Sequence, residues 1–342
     1  MELGKKIKQL RYRAGLTQEQ LAERMGVGPQ AVSKWETAVA MPDIAALPLL
    51  AETFGVSIDE LFDLTAEQRM NRIENRMDIE SELPQDVFWE YEEYLKTQCN
   101  DAAHRERATE LLAYLYWHRM DSYAQKAARA AKDAVRQNPY KKGSQWIMQK
   151  AAGHAVWDWN LNNHAAAVDF YRELIDAAPD CALAYCYLLD NLIADRRADE
   201  AERALDRLCA LPRSNPVMTQ AYRAHIALAR FDEPTADRII ETLVASGDSG
   251  SLFEAAQYYA SKCDYDRAIA CYERSFETDP ERPRFTDALM GIAVIWEIRR
   301  DYRKAAQTYD RIIDLLENEW GLREEVELKH ARSERARLLA KA

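Results

Sequence analysis

Glycine and proline are scarce, 11 of each in 342 residues, and helices rather than strand-and-turn architecture follow. No apolar run approaches the roughly 18 residues of a membrane span. The start Met1-Glu2-Leu3-Gly4-Lys5 has no apolar signal-peptide core, so a cytoplasmic protein without membrane contact is expected. The six cysteines, Cys99, Cys181, Cys186, Cys209, Cys263 and Cys271, show no CxxC spacing and sit in apolar helical segments, which points to reduced, packed thiols rather than a redox switch. The six histidines, His104, His118, His154, His164, His225 and His330, form no HExxH pattern. No phosphate-cradling glycine loop and no nucleophile elbow occurs either. The chain therefore reads as a non-enzyme, with no catalytic residue, metal ligand or cofactor expected. Positive charge is also in deficit: 46 Lys and Arg against 57 Asp and Glu leave a net −11, which argues against nonspecific coating of nucleic acid.

Ala, Leu, Arg and Glu are abundant, and the length suits two or three domains of an all-α protein. Near the start, Thr17 is a hydroxyl N-cap with Gln20 three residues on, and Leu21, Ala22 and Met25 recur on one helical face. Gly26 suits the left-handed end of that helix. Pro29 suits the first turn of the next, whose inward face is Val32 and Trp35. Gln30, Ser33, Lys34 and Thr37 point outward, where amide, hydroxyl and amine groups can reach base edges and phosphates in a major groove.

On these residues, with Pro42-Asp43 before a fourth helix and the closing run Phe54 to Phe62, residues 1–64 resemble the Cro/C1-type repressors, a five-helix lambda-repressor-like domain. The resemblance implies double-stranded DNA as partner, an inverted-repeat operator and a homodimer. It places Gln18 at a phosphate, Gln30, Ser33 and Lys34 in the groove, and Arg11 with Glu36 in an internal ion pair. Two positions depart from the pattern. Gly28 stands where a Ser or Thr usually caps the recognition helix, leaving only a backbone N–H for a phosphate. Ala38 stands where a glycine usually follows, so that turn is expected to be reshaped or strained. Charge gathers accordingly: residues 1–34 hold seven basic and three acidic residues, and residues 35–64 six acidic and no basic.

Farther on, a repeating pattern takes over. Ala167/Tyr171/Leu174, Ala201/Leu205/Leu208, Ala236/Ile240/Leu243, Ala268/Tyr272/Ser275 and Ala305/Tyr309/Ile312 recur at intervals of 34, 35, 32 and 37, with Pro179 and Pro280 closing two units. The period resembles the tetratricopeptide repeat, a helical-hairpin α-solenoid. Five repeats are expected over 143–319 within a domain of 85–342, with a leading hairpin from Gln85 to His118, a degenerate sixth repeat around Ala127 to Pro139, and a terminal capping helix from Leu322. Between the domains, 65–84 predicts a connecting helix whose narrow stripe of Met70, Ile73 and Met77 packs either on its own chain or on a second copy.

Stacked hairpins line a concave face with their first helices. Counting back from each alanine places Trp159, Tyr187, Asp190, Tyr222, His225, Phe253, Gln257, Met290 and Glu297 there. Aromatics mixed with amides and carboxylates suit an extended peptide; equally, such aromatics fill spaces between repeats. The layout resembles the Gram-positive peptide-pheromone receptors, which implies a transcriptional regulator sensing a short peptide. A regulator without effector, its repeats serving dimerisation or protein docking, stays open. So does a head kept only as an interaction module.

Overall fold

The computed structural model describes residues 3–56, 58–61, 65–155, 159–212 and 214–342. Ser57, Phe62 and Leu64, at the close of the expected first domain, lie outside them. Among the described residues all regular structure is helical, and no helix is long and apolar enough to cross a membrane. The chain forms two compact units, Met1–Ala152 and Gly153–Ala342.

The first unit opens with α1 (Leu3–Arg13), α2 (Gln18–Met25), α3 (Pro29–Glu36), α4 (Leu47–Phe54) and α5 (Ile58–Leu61), a five-helix set. Local chemistry sets the ends of α2. The Gln20 N–H donates to the Thr17 hydroxyl at 3.1 Å and the Thr17 N–H to the Gln20 side chain at 2.8 Å. Gly26, at φ 64°, lets the Val27 N–H turn back to the Ala22 carbonyl. Ile7, Leu10, Leu21, Met25, Val32, Trp35, Leu50 and Leu61 then close one core. Gly4 was not singled out by the pattern, yet α1 depends on it. A Cβ there would lie 2.2 Å from the Trp35 carbonyl oxygen.

The expected connecting segment becomes α6 (Ala66–Ile79), and its buried Met70, Ile73 and Met77 pack with Leu83, Phe88, Tyr91 and Leu95 of α7 (Gln85–Gln98) and Leu111 and Leu115 of α8 (Arg105–Gln137). The thin apolar stripe is thus covered by its own chain. One expectation is corrected: Ala127 to Pro139 is no separate repeat, because α8 runs unbroken through 33 residues that contain neither glycine nor proline. Its exposed side carries Tyr116, Trp117, Met120 and Tyr123. Next, α9 (Lys142–Ala151) packs on α8 and completes the unit, so the division at Ala152 falls inside the first expected repeat.

In the second unit the short α10 (Trp159–Asn162) and α11 (Ala165–Ala177) precede four hairpins: α12 (Ala182–Ala194) with α13 (Ala198–Cys209), α14 (Pro216–Ala229) with α15 (Glu233–Ser246), α16 (Ser249–Ser261) with α17 (Tyr265–Thr278), and α18 (Asp287–Ile298) with α19 (Tyr302–Asn318). The terminal α20 (Val326–Leu339) packs on α19. Ala201, Ala236, Ala268 and Ala305 are fully buried, because the second helix of each hairpin approaches its partner at that point. Each hairpin turns the same way. Arg196, Phe231, Cys263 and Arg300 adopt φ between 57° and 63°, and the N–H that follows reaches back five residues, as from Asp232 to Ala227 at 2.9 Å. In three turns that next residue, Asp232, Asp264 or Asp301, also caps the second helix with its carboxylate.

Candidate nucleic-acid interface and ligand groove

The outer face of α3 is built from beneath. Arg11, 5% exposed, donates through Nε and Nη2 to the Glu36 carboxylate at 2.5 and 3.0 Å and through Nη1 to the Leu16 carbonyl at 2.8 Å. This is the internal pair the resemblance implied. A third member was not foreseen: Gln18 Nε2 donates to Glu36 Oε2 at 2.8 Å. The amide assigned to a phosphate is turned inward, and it links the start of α2 to the end of α3. Burial works to raise the Glu36 carboxyl, but hydrogen bonds from Arg11 and Gln18 outweigh it and hold the group below the usual carboxylate range.

With α3 pinned, Gln30, Ser33, Lys34 and Thr37 fall at one-turn spacing along a single stripe. Gln30, Lys34 and Thr37 are exposed and Ser33 is half-buried. Thr37 is partly committed: its hydroxyl donates to the Ser33 carbonyl at 2.8 Å and closes the helix. Gly28 caps the start in extended conformation without a side-chain bond, as its identity dictates. A Cβ at Gly28 would lie 3.2 Å from Gln30 Oε1, so the missing cap hydroxyl leaves room for that amide. Ala38 holds φ 58°, so the turn after α3 keeps the glycine-like left-handed shape with a strained alanine.

These features define a helix-turn-helix domain followed, in the second unit, by tetratricopeptide-like hairpins. The comparisons agree. Residues 7–61 match the helix-turn-helix family and residues 249–282 the tetratricopeptide repeat. Over 79 residues, 23% of this chain, the sequence is 39% identical to the HTH-type transcriptional activator BcrR of Enterococcus faecalis. Over 61 residues, 18% of this chain, it is 38% identical to the HTH-type transcriptional regulator ImmR of Bacillus subtilis (strain 168). The chain spans 39% and 48% of the length of these curated relatives. Similar solved structures include the apo form of the competence regulator ComR from Streptococcus vestibularis, at 15% identity over 98% of both chains with a TM-score of 0.24. Another is Bacillus thuringiensis PlcR in complex with the peptide PapR7 and DNA, at 14% identity over 92% of this chain and 96% of that one, with a TM-score of 0.20. Similarity at that level leaves the ligand of this chain open.

In the second unit α12, α14 and α16 lie side by side, bringing part of the expected ligand face together. Tyr187 is exposed and stacks on Tyr171 at 5.5 Å. Asp190 accepts from the Tyr222 hydroxyl at 2.9 Å, and Tyr222, 6% exposed, is a packing residue rather than an open wall of the groove. Burial, with Asp190 adding to it, pushes that phenol well above its usual range. His225 is half-buried beside Tyr258, and burial lowers its pKa against the pull of Asp190, favouring the neutral ring. Phe253 meets Tyr272 edge-on at 5.7 Å, while Gln257 and Met290 are exposed. Glu297 departs from the expected open wall. Its carboxylate is taken by Arg337 at 2.6 Å and Lys341 at 3.1 Å, both beyond the start of α20. Trp159, in α10, is 80% exposed. A residue the counting missed is Glu254, one position after Phe253, whose carboxyl is raised by burial and by Asp190.

Proposed function

We propose that this protein is a cytoplasmic, sequence-specific DNA-binding transcriptional regulator that acts as a homodimer on an inverted repeat and senses a short peptide along the first helices of its hairpins. The observation that carries the DNA reading is the outward stripe of Gln30, Ser33, Lys34 and Thr37 on a helix whose end is fixed by the buried Arg11 and Glu36 with Gln18. Long polar side chains on a rigid helix read bases well, because little ordering remains at binding. One head offers few base contacts, and two half-sites about one helical turn apart, or multiples of it, supply the rest. Selection from random DNA followed by footprinting tests this. Two-fold symmetric enriched sites are expected, and failure to enrich any site at moderate salt would overturn it. Gln30→Ala and Lys34→Ala are each expected to cost about 1–3 kcal/mol on the preferred site and to relax its sequence.

Peptide sensing is supported by Tyr187, Asp190, His225, Phe253 and Gln257 on adjacent first helices. A bound peptide would stabilise the unit by mass action and shift DNA affinity by the same factor that DNA imposes on peptide affinity. Thermal melts and DNA titrations with peptide fractions of the host's growth medium read both effects.

A second reading, repeats and connecting helices acting as an effector-free dimerisation scaffold, is favoured by the exposed Tyr116, Trp117, Met120 and Tyr123 along α8, with Trp146 and Ile147 of α9 also exposed. Contiguous exposed apolar surface marks protein contacts. Light scattering on Trp117→Asp and Met120→Asp separates the two: loss of the dimer with no response of the wild type to any peptide favours the scaffold.

A further inference from the structure

One pocket of the second unit lies where α16, α17 and α18 come together. It holds about 270 Å³ and is walled by the rings of Phe253, Phe276 and Phe285 and by the carboxylates of Glu254, Asp279 and Asp287. That is the scale of a single side chain, below the roughly 300–1,000 Å³ of a drug-sized site. Three acidic groups share it without a cation of their own. Among the described residues Glu254 and Asp287 make no ion pair or hydrogen bond through their side chains, and Asp279 only accepts the Glu281 N–H at 3.0 Å. Arg284 lies nearby with its guanidinium 4.0 Å from the centre of the Phe276 ring, but Glu319 holds it at 2.5 and 3.0 Å.

Tyr272 lies behind Phe253 and outside the pocket's lining; edge-on to that ring and within the field of Glu254 and Asp287, it is 3% exposed, and its hydroxyl makes no hydrogen bond among the described residues. Gly291 makes space for that hydroxyl, since a Cβ there would lie 3.0 Å from it and 2.6 Å from the ring. Burial, then Glu254 and Asp287, pushes the phenol up to about 12. Uncompensated acids beside aromatic walls describe a receptacle for an organic cation with an apolar stem. Carboxylates meet the charged head, and the stem replaces water against the Phe253 and Phe285 rings.

We propose that this pocket holds one basic side chain, arginine or lysine, of the peptide bound along the groove, an inference that rests on the peptide-sensing function proposed above. A peptide selected by this protein is then basic at one fixed position. The test is selection of random hexapeptides on the full-length protein, followed by synthesis of the best binder with citrulline or norleucine at that position. Both replacements keep the stem and remove the charge. On the wild type, binding is expected to weaken about tenfold or more, the size of a lost charge-assisted contact. In the near-isosteric Glu254→Gln/Asp287→Asn variant the same replacement should make little difference. Enriched peptides with no basic position, or neutral replacements that bind the wild type as well, would overturn the inference and leave peptide sensing standing. Recovery of no peptide at all would overturn both. The wild-type comparison stands even if the variant proves unstable.

Discussion

Ala38 is a clear conflict between a residue and its backbone. An L-residue at φ 58° carries a Cβ against the adjacent carbonyl, and glycine does not. Ala38→Gly is expected to stabilise the head by about 0.5–1 kcal/mol, the relief being offset in part by a more flexible unfolded chain, and thermal melts would show it. Gly4→Ala should act the other way and more strongly, because its Cβ would sit 2.2 Å from a carbonyl oxygen in backbone that has nowhere to go. Glu36 is a third case. Replacing it with alanine strands the buried Arg11 and frees Gln18, and a loss of about 3–5 kcal/mol is expected. Gln18→Ala should therefore lower head stability as well as DNA affinity, and a melt run without DNA separates the two contributions.

Among the elements, all four hairpins share a left-handed residue that ends the first helix, and in three of them an aspartate caps the second. The turn residues Arg196, Phe231, Cys263 and Arg300 all pay for that shape with a strained Cβ, and each replaced by glycine or asparagine is expected to raise the melting temperature of the second unit. Asp232→Ala, Asp264→Ala and Asp301→Ala should each lower its stability by about 1 kcal/mol through loss of the cap. The terminal helix adds charge to the packing of its buried Leu328, Ala331 and Leu338. Arg337 and then Lys341 hold the Glu297 carboxyl down at about 2, against the opposing effect of burial. The folded value lies below the unfolded one of 4.5, so this stabilisation is fully present above pH 4.5 and is lost as pH falls through about 2. Hydrogen exchange of α20 between pH 5 and 2 should record its loosening, and Glu297→Gln should remove most of that dependence.

For the whole molecule, net charge and local surface point in opposite directions. If it binds DNA as proposed, a chain at −11 approaches it against its own long-range field, with basic residues concentrated in 1–34. Specific affinity is therefore expected to fall steeply with salt, with log K linear in log salt at a slope set by the phosphates neutralised. Lys34→Ala should reduce that slope by about one if its ammonium meets a phosphate, and leave the slope unchanged if it reads a base, which titrations at several salt concentrations distinguish.

The sequence by itself determined what is local. Helical periodicity, the Thr17 and Gly26 signals, the outward stripe on α3 and the alanine spacing of the hairpins all follow from residues within a turn or two of each other, and each has its counterpart in the structure. The Arg11 and Glu36 pair was legible only through the resemblance, being 25 residues apart. What the tertiary structure alone decided involves partners far apart in the chain. Gln18 turns inward because the end of α3 brings the Glu36 carboxylate, already paired with Arg11, within its reach, and Glu297 is occupied because α20 delivers Arg337 from 40 residues away. The aromatic and acidic pocket is invisible in sequence for the same reason, since its walls come from three helices and the connection between the last two, and no periodicity links Phe253, Phe276 and Phe285. Periodicity reports which face of a helix is buried, and only packing reports what that face meets.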